Sequence, residues 1–509
     1  MSYIVEQKIN GGVYLYEVES YWDKGKKQSR QKRTYLGVKD PKTGLPKTPR
    51  KGLKPKLVLD FGELWLLDGL AKRIGLQKDL EKAFGDDWEK IFDLACYDLL
   101  ERRGFHLFKD WAERASVKQA ELRTSQDISR FFASLSDRST RHFQNLWLRR
   151  HGKREALAFD ITSISSYSDG MSDVEWGYNR DGESLPQINL GVAVNCASGL
   201  PVSFRTYPGS VPDVKVLERL VEEFASQCRL REFILDRGFF SVRNIGSLAE
   251  RGIDVLASVP FNVKHAKAIL KARNVEDADN VLVFNGRTLS HVKRRVEIDG
   301  RRCEIHMFHD QERKGREYGR FFQKVAGIEA QFDGAAVENV AALKKNIEDF
   351  ARGMSGYFHL EVRGGKAAVA RDAGKMNERT VRMGKMLLLS TRTGRTAEDV
   401  LDAYFKRDMV EKYFDALKNK MGDDRLGTHN DQTARGRMFV AMIGLFIHAA
   451  LYSAWMKSGL RGKMSMTEVL WAMKSLKSVQ RSDGSRRLTE ITKKQRDLIK
   501  AFSMTPPVM

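Results

Sequence analysis

Apolar and polar positions alternate through Gly12-Val-Tyr-Leu-Tyr-Glu-Val-Glu-Ser-Tyr-Trp22, break at Asp23-Lys-Gly-Lys26 and alternate again through Arg33-Thr-Tyr-Leu36, which predicts a β-hairpin with a basic turn. From Phe61 to about Arg150 the apolar spacing becomes helical, with breaks at Gly75-Leu-Gln and Gly85-Asp-Asp and a helix cap expected at Ser125. From about residue 155 the pattern shortens into strand-like apolar runs, with strands expected over 155–164, 187–196, 200–207, 232–236 and 253–259 and a helix over 213–227. Alternating segments such as Asn280-Val-Leu-Val-Phe284 and the run Arg301 to Phe308, plus a helix near 339–352, then fill residues 262–383. Leu387 to Leu389 reads as a further strand, Thr396 opens a helix that carries Glu411, and a basic helical tail follows from about Lys457.

Two of these strands contain an aspartate where none is expected. Glu155-Ala-Leu-Ala-Phe-Asp160-Ile-Thr-Ser-Ile164 reads as a strand buried on both faces, and a carboxylate there costs several kcal/mol unless it is paired or coordinates a metal. Arg231-Glu-Phe-Ile-Leu-Asp236-Arg-Gly-Phe239 is a short apolar strand ending at an Asp, with Gly238 free to turn the chain. Asp236 could equally cap a helix beginning near Ser241. On the later helix, Tyr404, Arg407, Glu411 and Lys418 fall within an arc of roughly 60°, beside an apolar arc of Ala403, Val410, Phe414, Leu417 and Met421. Taken alone this is an ordinary amphipathic helix with i,i+3 and i,i+4 charge pairs. With the two aspartates, Glu411 completes a set of three carboxylates of the kind hard divalent cations require.

Asp160-Ile-Thr, Asp236-Arg-Gly-Phe and Tyr404-x2-Arg407-x3-Glu411-x6-Lys418 resemble the DDE transposases of bacterial insertion sequences, specifically the insertion-sequence-four superfamily with its Tyr-Arg-Glu-Lys signature. Trp176-Gly-Tyr-Asn-Arg-Asp-Gly182, Leu185-Pro-Gln-Ile-Asn-Leu-Gly191 and Gly199-Leu-Pro-Val202, followed by Pro208-Gly209 and Asp213, extend the resemblance over roughly 155–260 and 384–455. It implies an α/β fold with a ribonuclease-H-like core interrupted by a β-rich insertion. The implied divisions are a basic hairpin and linker (1–56), a helical DNA-binding region (57–152), core segments at 153–261 and 384–456 around an insertion at 262–383, and a basic helical C-terminal region (457–509). It further implies that Asp160, Asp236 and Glu411 hold two Mg²⁺ or Mn²⁺ ions for cut-and-paste DNA transposition, while Tyr404, Arg407 and Lys418, with Arg237 nearby, hold terminal phosphates. Partners would be double-stranded DNA, as terminal inverted repeats and as target, and a second copy of the chain in a synaptic homodimer. Where the family often places an aromatic residue for stacking on an extruded base, this chain has Met386, whose thioether could fill the same space.

Composition agrees with a polyanionic partner: 88 Lys and Arg against 66 Asp and Glu leave a formal charge of +22 over 509 residues. In the hairpin, Lys24, Lys26, Lys27, Arg30, Lys32 and Arg33 could approach phosphates while Tyr21 and Trp22 stack or wedge. Arg130, Arg138, Arg141, Arg149 and Arg150 would suit phosphate or base contacts alike. Cys96, Cys196, Cys228 and Cys303 form no CxxC pair, consistent with a reducing, cytoplasmic compartment; the resemblance implies association with the bacterial nucleoid there. Cys303, His306 and His309 lie on strand-like sequence that would not turn all three to one face, against a zinc site. The apolar run Met438 to Met456 approaches the length of a membrane span, but His448 and Ser453 favour a core helix and no membrane association is expected. A nuclease of the same fold would share the carboxylates but would not need the Tyr, Arg and Lys spacing, and a domesticated sequence-specific DNA-binding protein would be expected to have lost a carboxylate, whereas this chain retains all three.

Overall fold

The structure is a computed structural model that describes all residues except 1, 10, 11, 42, 48–54, 118–121, 153, 154, 169, 213, 214, 218, 219, 221–229, 271–279, 423, 424, 508 and 509. Most of the helix expected over 213–227, together with Asp213, Cys228 and most of the linker before Lys56, lies outside the described residues.

The N-terminal alternation forms β1 (Ser2–Ile9), β2 (Gly12–Asp23) and β3 (Gln28–Lys39), an antiparallel meander closed by the short β4 (Pro46–Lys47). Asp23 accepts hydrogen bonds from the backbone N–H groups of Gly25 and Lys26 through Oδ1, which shapes the basic turn. β5 (Pro55–Asp60) leads into the helical region.

A nine-stranded mixed sheet follows: β6 (Ala156–Ser165), β7 (Gln187–Asn195), β8 (Pro201–Pro208), β9 (Glu232–Leu235), β10 (Asp254–Ser258), β11 (Val281–Phe284), β12 (Arg287–Ile298), β13 (Arg301–Asp310) and β16 (Lys385–Ser390), with the small hairpin β14 (Phe358–Arg363) and β15 (Lys366–Arg371) intervening in sequence. Its order is β11-β12-β13-β16-β10-β9-β6-β7-β8. β6, β7 and β8 pair antiparallel, whereas β9 and β10 run parallel to β6. A parallel pair needs a long crossover, and the segments between β8, β9 and β10 supply it. Leu157, Phe159, Phe233, Leu235 and Val255 pack on one face with the helix Val242–Glu250; Ala158, Ile164 and Ile234 face the other. The result is a mixed α/β fold with its sheet covered on both sides.

That second face is covered by helices distant in sequence. The helix Asp431–Lys457 is buried without a break from Met438 to Leu451, and Gly62–Arg73, Trp88–Glu101 and Ser125–Ser134 pack around it in one continuous core. Gly436 is required there, since a Cβ would lie 2.0 Å from the Phe132 carbonyl oxygen. This apolar helix is therefore a core element, in keeping with its His448 and Ser453; 78% of its most apolar window is buried.

Three expectations need correction. Residues 262–383 are not predominantly β: β11 to β13 widen the main sheet and the helix expected near 339–352 is present as Val340–Phe350, but Gln311–Phe332 and Ala373–Arg382 are helices as well. Phe321, Val325, Ile328 and Phe332 recur at helical spacing, a period hidden behind the charged first half of that helix. The C-terminal region is not all helical, because β17 (Lys477–Arg481) pairs with β18 (Arg486–Leu488) and with β5, tying the two ends of the chain together. The cap expected at Ser125 is Thr124, which forms a capping box with Asp127.

On β12 and β13, His291 and His306 meet at 3.1 Å between Nε2 and Nδ1 and stack near Phe308. Burial pushes both pKa values down to about 4, and for His306 the neighbouring His291 adds to it. Cys303 packs into the opposite apolar layer, so it and His306 diverge, as alternation along a strand requires. Because both histidines are held neutral, their contribution is present above the unfolded pKa of about 6.5 and lost as pH falls through 4. Thermal melting between pH 7 and 4 should show the wild type losing more stability than a His291→Phe, His306→Phe double variant.

Candidate active site

Of the ten residues in β6, Asp160 alone is not buried; the other nine are. The parallel register pairs Phe159 with Leu235, so Asp160 and Asp236 are the next residues on adjacent strands. Their side chains project to the same face, roughly 5 Å apart at the backbone. Asp236 ends its strand and makes no side-chain capping bond; the helix Val242–Glu250 is capped by Ser241, whose Oγ accepts from the Asn244 N–H at 3.0 Å. The capping role open to Asp236 is thus taken by another residue.

Above this pair the expected single helix is broken. Ala397–Phe405 and Asp408–Asp415 are separate helices joined by a tight turn in which the Arg407 N–H bonds to the Tyr404 carbonyl at 3.0 Å, and Ala416–Lys420 continues as a π-helix. The turn swings Arg407 inward. Its Nη1 lies 3.0 Å from Asp160 Oδ2 and 4.0 Å from Asp236 Oδ2, and its Nη2 donates to Glu411 Oε1 at 2.7 Å. One guanidinium therefore touches all three carboxylates, with its side chain only 10% exposed.

The electrostatics follow from that enclosure. Burial raises the Asp160 pKa to about 6, opposed by Arg407 and by the Ile161 N–H, which donates to Asp160 Oδ1 at 2.8 Å. Burial by itself would lower the Arg407 pKa, but Tyr404 and the three carboxylates together raise it. Arg407 Nε is buried without a hydrogen-bond partner, an unsatisfied donor at the centre of the site.

The four-residue stripe is only partly realised. Tyr404 is buried, its pKa pushed up to about 12, and its hydroxyl donates to Asp236 Oδ1 at 3.4 Å rather than facing solvent. Lys418 lies in the π-helix and pairs with Asp181 at 2.5 Å. The extra residue of a π-turn rotates everything after it, which a regular 100° count cannot register. In the sequence, Asp181 is legible only as part of the Trp176 to Gly182 motif.

Beside Tyr404 lies a cavity of about 290 Å³ lined by Phe284, Leu289, Phe308, Met386 and Phe405, with Asn285, Arg287, Asp310 and Arg313 at its polar edge. Phe284 and Phe405 stack at 5.7 Å, and Met386 pairs with Phe308 across the sheet. Met386 does line an aromatic-walled space, but the aromatics arrive from strands and a helix that the sequence pattern leaves unconnected. Arg237 is exposed at the end of β9. Lys26, Lys27 and Arg30 are exposed on the hairpin, where Arg30 lies 3.5 Å from Asp23, and the structure does not bring them to the carboxylates.

A family model described as a transposase DDE domain matches residues 151–447, more than half of the 509-residue chain. The chain belongs to that family. Membership makes it a transposase-type protein that acts on DNA, a DNA-cleaving and joining class. No curated protein matches the sequence. Among solved structures, a piggyBac transposase synaptic complex with hairpin DNA, determined by cryo-electron microscopy, is similar at 11% identity over 78% of each chain, with a TM-score of 0.37.

Because Arg407 is the shared partner of three carboxylates, Arg407→Ala should destabilise the metal-free protein by roughly 3 kcal/mol, the scale for removing one member of a buried ionic group. Denaturant unfolding in EDTA measures this. Lys418→Ala, which removes a single pair to the half-exposed Asp181, should cost less than Arg407→Ala.

Proposed function

We propose that this chain is a transposase of the insertion-sequence-four type that cleaves the ends of its element and joins them to target DNA. In this reading Asp160, Asp236 and Glu411 are the catalytic carboxylates. The observation that carries it is the convergence of these three groups, from two strands and a distant helix, onto the Arg407 guanidinium. The order β8-β7-β6-β9-β10, with three antiparallel strands followed by two parallel ones, supports a ribonuclease-H-like core around them.

The donor set fits a hard divalent cation in its chemistry, being all carboxylate; among the described residues no acidic cluster is closed up for a metal, and here Arg407 Nη1 lies 3.0 Å from Asp160 and 4.0 Å from Asp236, standing where a cation would. Mg²⁺ or Mn²⁺ held by Asp160, Asp236 and Glu411 would supply activation of an oxygen nucleophile and stabilisation of the leaving oxygen in an in-line displacement. The chain's own groups do the positioning. The Ile161 N–H fixes one oxygen of Asp160 and Tyr404 holds Asp236; the Arg407 fork, released from the carboxylates by the cation, would grip two phosphate oxygens. The aromatic cavity at Met386 and Phe405 is large enough for an extruded base next to that phosphate. Double-stranded DNA, a synaptic homodimer and a cytoplasmic, nucleoid-bound location belong to the same reading. The exposed Lys26, Lys27 and Arg30 of the hairpin would add phosphate contacts away from the cut.

Asp160→Ala, Asp236→Ala and Glu411→Gln should each lower single-turnover cleavage of a labelled element end by roughly a thousandfold or more while leaving end binding in gel shifts largely intact. Near wild-type, metal-dependent cutting by any one of them contradicts the assignment. The family resemblance also implies a DNA hairpin intermediate with an extruded base, and Phe405→Ala should reduce its formation about tenfold, the scale of losing one base stack, with less effect on the first nick.

A further inference from the structure

The segment between β6 and β7 displays three of the most exposed aromatic side chains in the structure: Tyr167 at 73%, Trp176 at 67% and Tyr178 at 79%. Exposed rings usually sit on loose chain, and this chain is held fast. Glu175 and Gln187 exchange two backbone hydrogen bonds at 3.0 Å, and the Gln187 side chain donates to the Tyr178 carbonyl at 2.9 Å. Asn179 Nδ2 donates to Ser165 Oγ at 3.0 Å, and Arg180 Nη1 to Asn189 Oδ1 at 3.1 Å. Three further contacts clamp the segment to the chain that follows Glu411: Asp181 with Lys418 at 2.5 Å, Glu183 with Arg425 at 2.5 Å, and the Ser172 hydroxyl with Asp431 at 2.7 Å.

Gly177 explains why the rings cannot retreat. A Cβ there would lie 2.0 Å from the Gly209 carbonyl oxygen, so the backbone is pressed against its neighbour at the residue between Trp176 and Tyr178. Both flanking side chains are left outside. The Arg425 guanidinium stands 5.7 Å from the Tyr167 ring centroid, placing a cation beside the aromatic surface. Rigid, solvent-facing aromatics next to arginine suit the stacking of unpaired bases, because little ordering entropy remains to be lost on binding. The segment is anchored to Ser163 and Ser165, three and five residues beyond Asp160 on the same strand, hence roughly 10 to 17 Å along it.

We propose that Tyr167, Trp176 and Tyr178 form a stacking surface for unpaired bases of a DNA strand, adjacent to but distinct from the carboxylate site and the Met386 cavity. This rests on the DNA-processing reading above. Lys418, through its pair with Asp181, then also ties the stacking segment to the helical segment that carries Glu411.

Fluorescence anisotropy with the full chain tests it, using a labelled blunt duplex, the same duplex with a short single-stranded overhang, and that overhang made abasic. Trp176→Ala and Tyr178→Ala should each weaken overhang binding about tenfold, while Trp176→Phe keeps most of it. Blunt-duplex and abasic-overhang binding should be unchanged by all three substitutions. Both side chains are exposed, so circular dichroism melts should match the wild type. Equal losses on blunt and overhang DNA, no loss on either, or a shift in oligomeric state on sedimentation would overturn the proposal. A wild type that binds neither duplex would instead contradict the functional reading itself.

Discussion

Everything at the centre of this molecule depends on one charged residue placed in an otherwise buried strand. Asp160 interrupts a run of nine buried residues in the middle of the sheet, where desolvation raises its pKa to about 6. Such a group persists only with a compensating cation, and Arg407 supplies it from a turn between two helices. Since that guanidinium also reaches Asp236 and Glu411, the compensation of one carboxylate fixes the position of the other two. The sheet register, the break before Asp408 and the burial of Tyr404 are then parts of a single arrangement.

Much of this is legible in the chain because burial and charge conflict openly there. An Asp inside an apolar strand and an Asp at the end of another are visible without a structure, and the parallel pairing of β6 with β9 sets them side by side. The offsets of Tyr404, Arg407 and Glu411 point to the correct face. The partner of Lys418 is not legible in the same way, because neither the π-turn Ala416–Lys420 nor the approach of Asp181 has a signature in hydrophobic spacing. The aromatic cavity is illegible for a different reason: Phe284, Phe308 and Phe405 are brought together by strand order, and of its lining only Met386 stands out in the sequence. Residues 262–383 look β-rich from the alternation around β11 to β13, while the helix Gln311–Phe332 hides its apolar period in its second half.

The packing also shows how the nine-stranded sheet is supported. The buried helix Asp431–Lys457 receives helices from the region before residue 152 on one side and the β6 to β8 layer on the other, so the helical region and the sheet share one core. β5 and β17 join the chain's early and late segments in a second, smaller sheet. Displacements in the helical region would therefore be felt at Asp160 through close-packed side chains rather than across a flexible linker.

The central claim is that Asp160, Asp236 and Glu411 form one cation-binding centre that Arg407 occupies when no metal is bound. Anomalous X-ray diffraction at the manganese edge, on crystals of the protein grown with Mn²⁺, addresses it without any assay of turnover. The account predicts manganese peaks in contact with Asp160 and Asp236, with the Arg407 guanidinium displaced from between them. Manganese elsewhere, with Arg407 still bridging the three carboxylates, would contradict it.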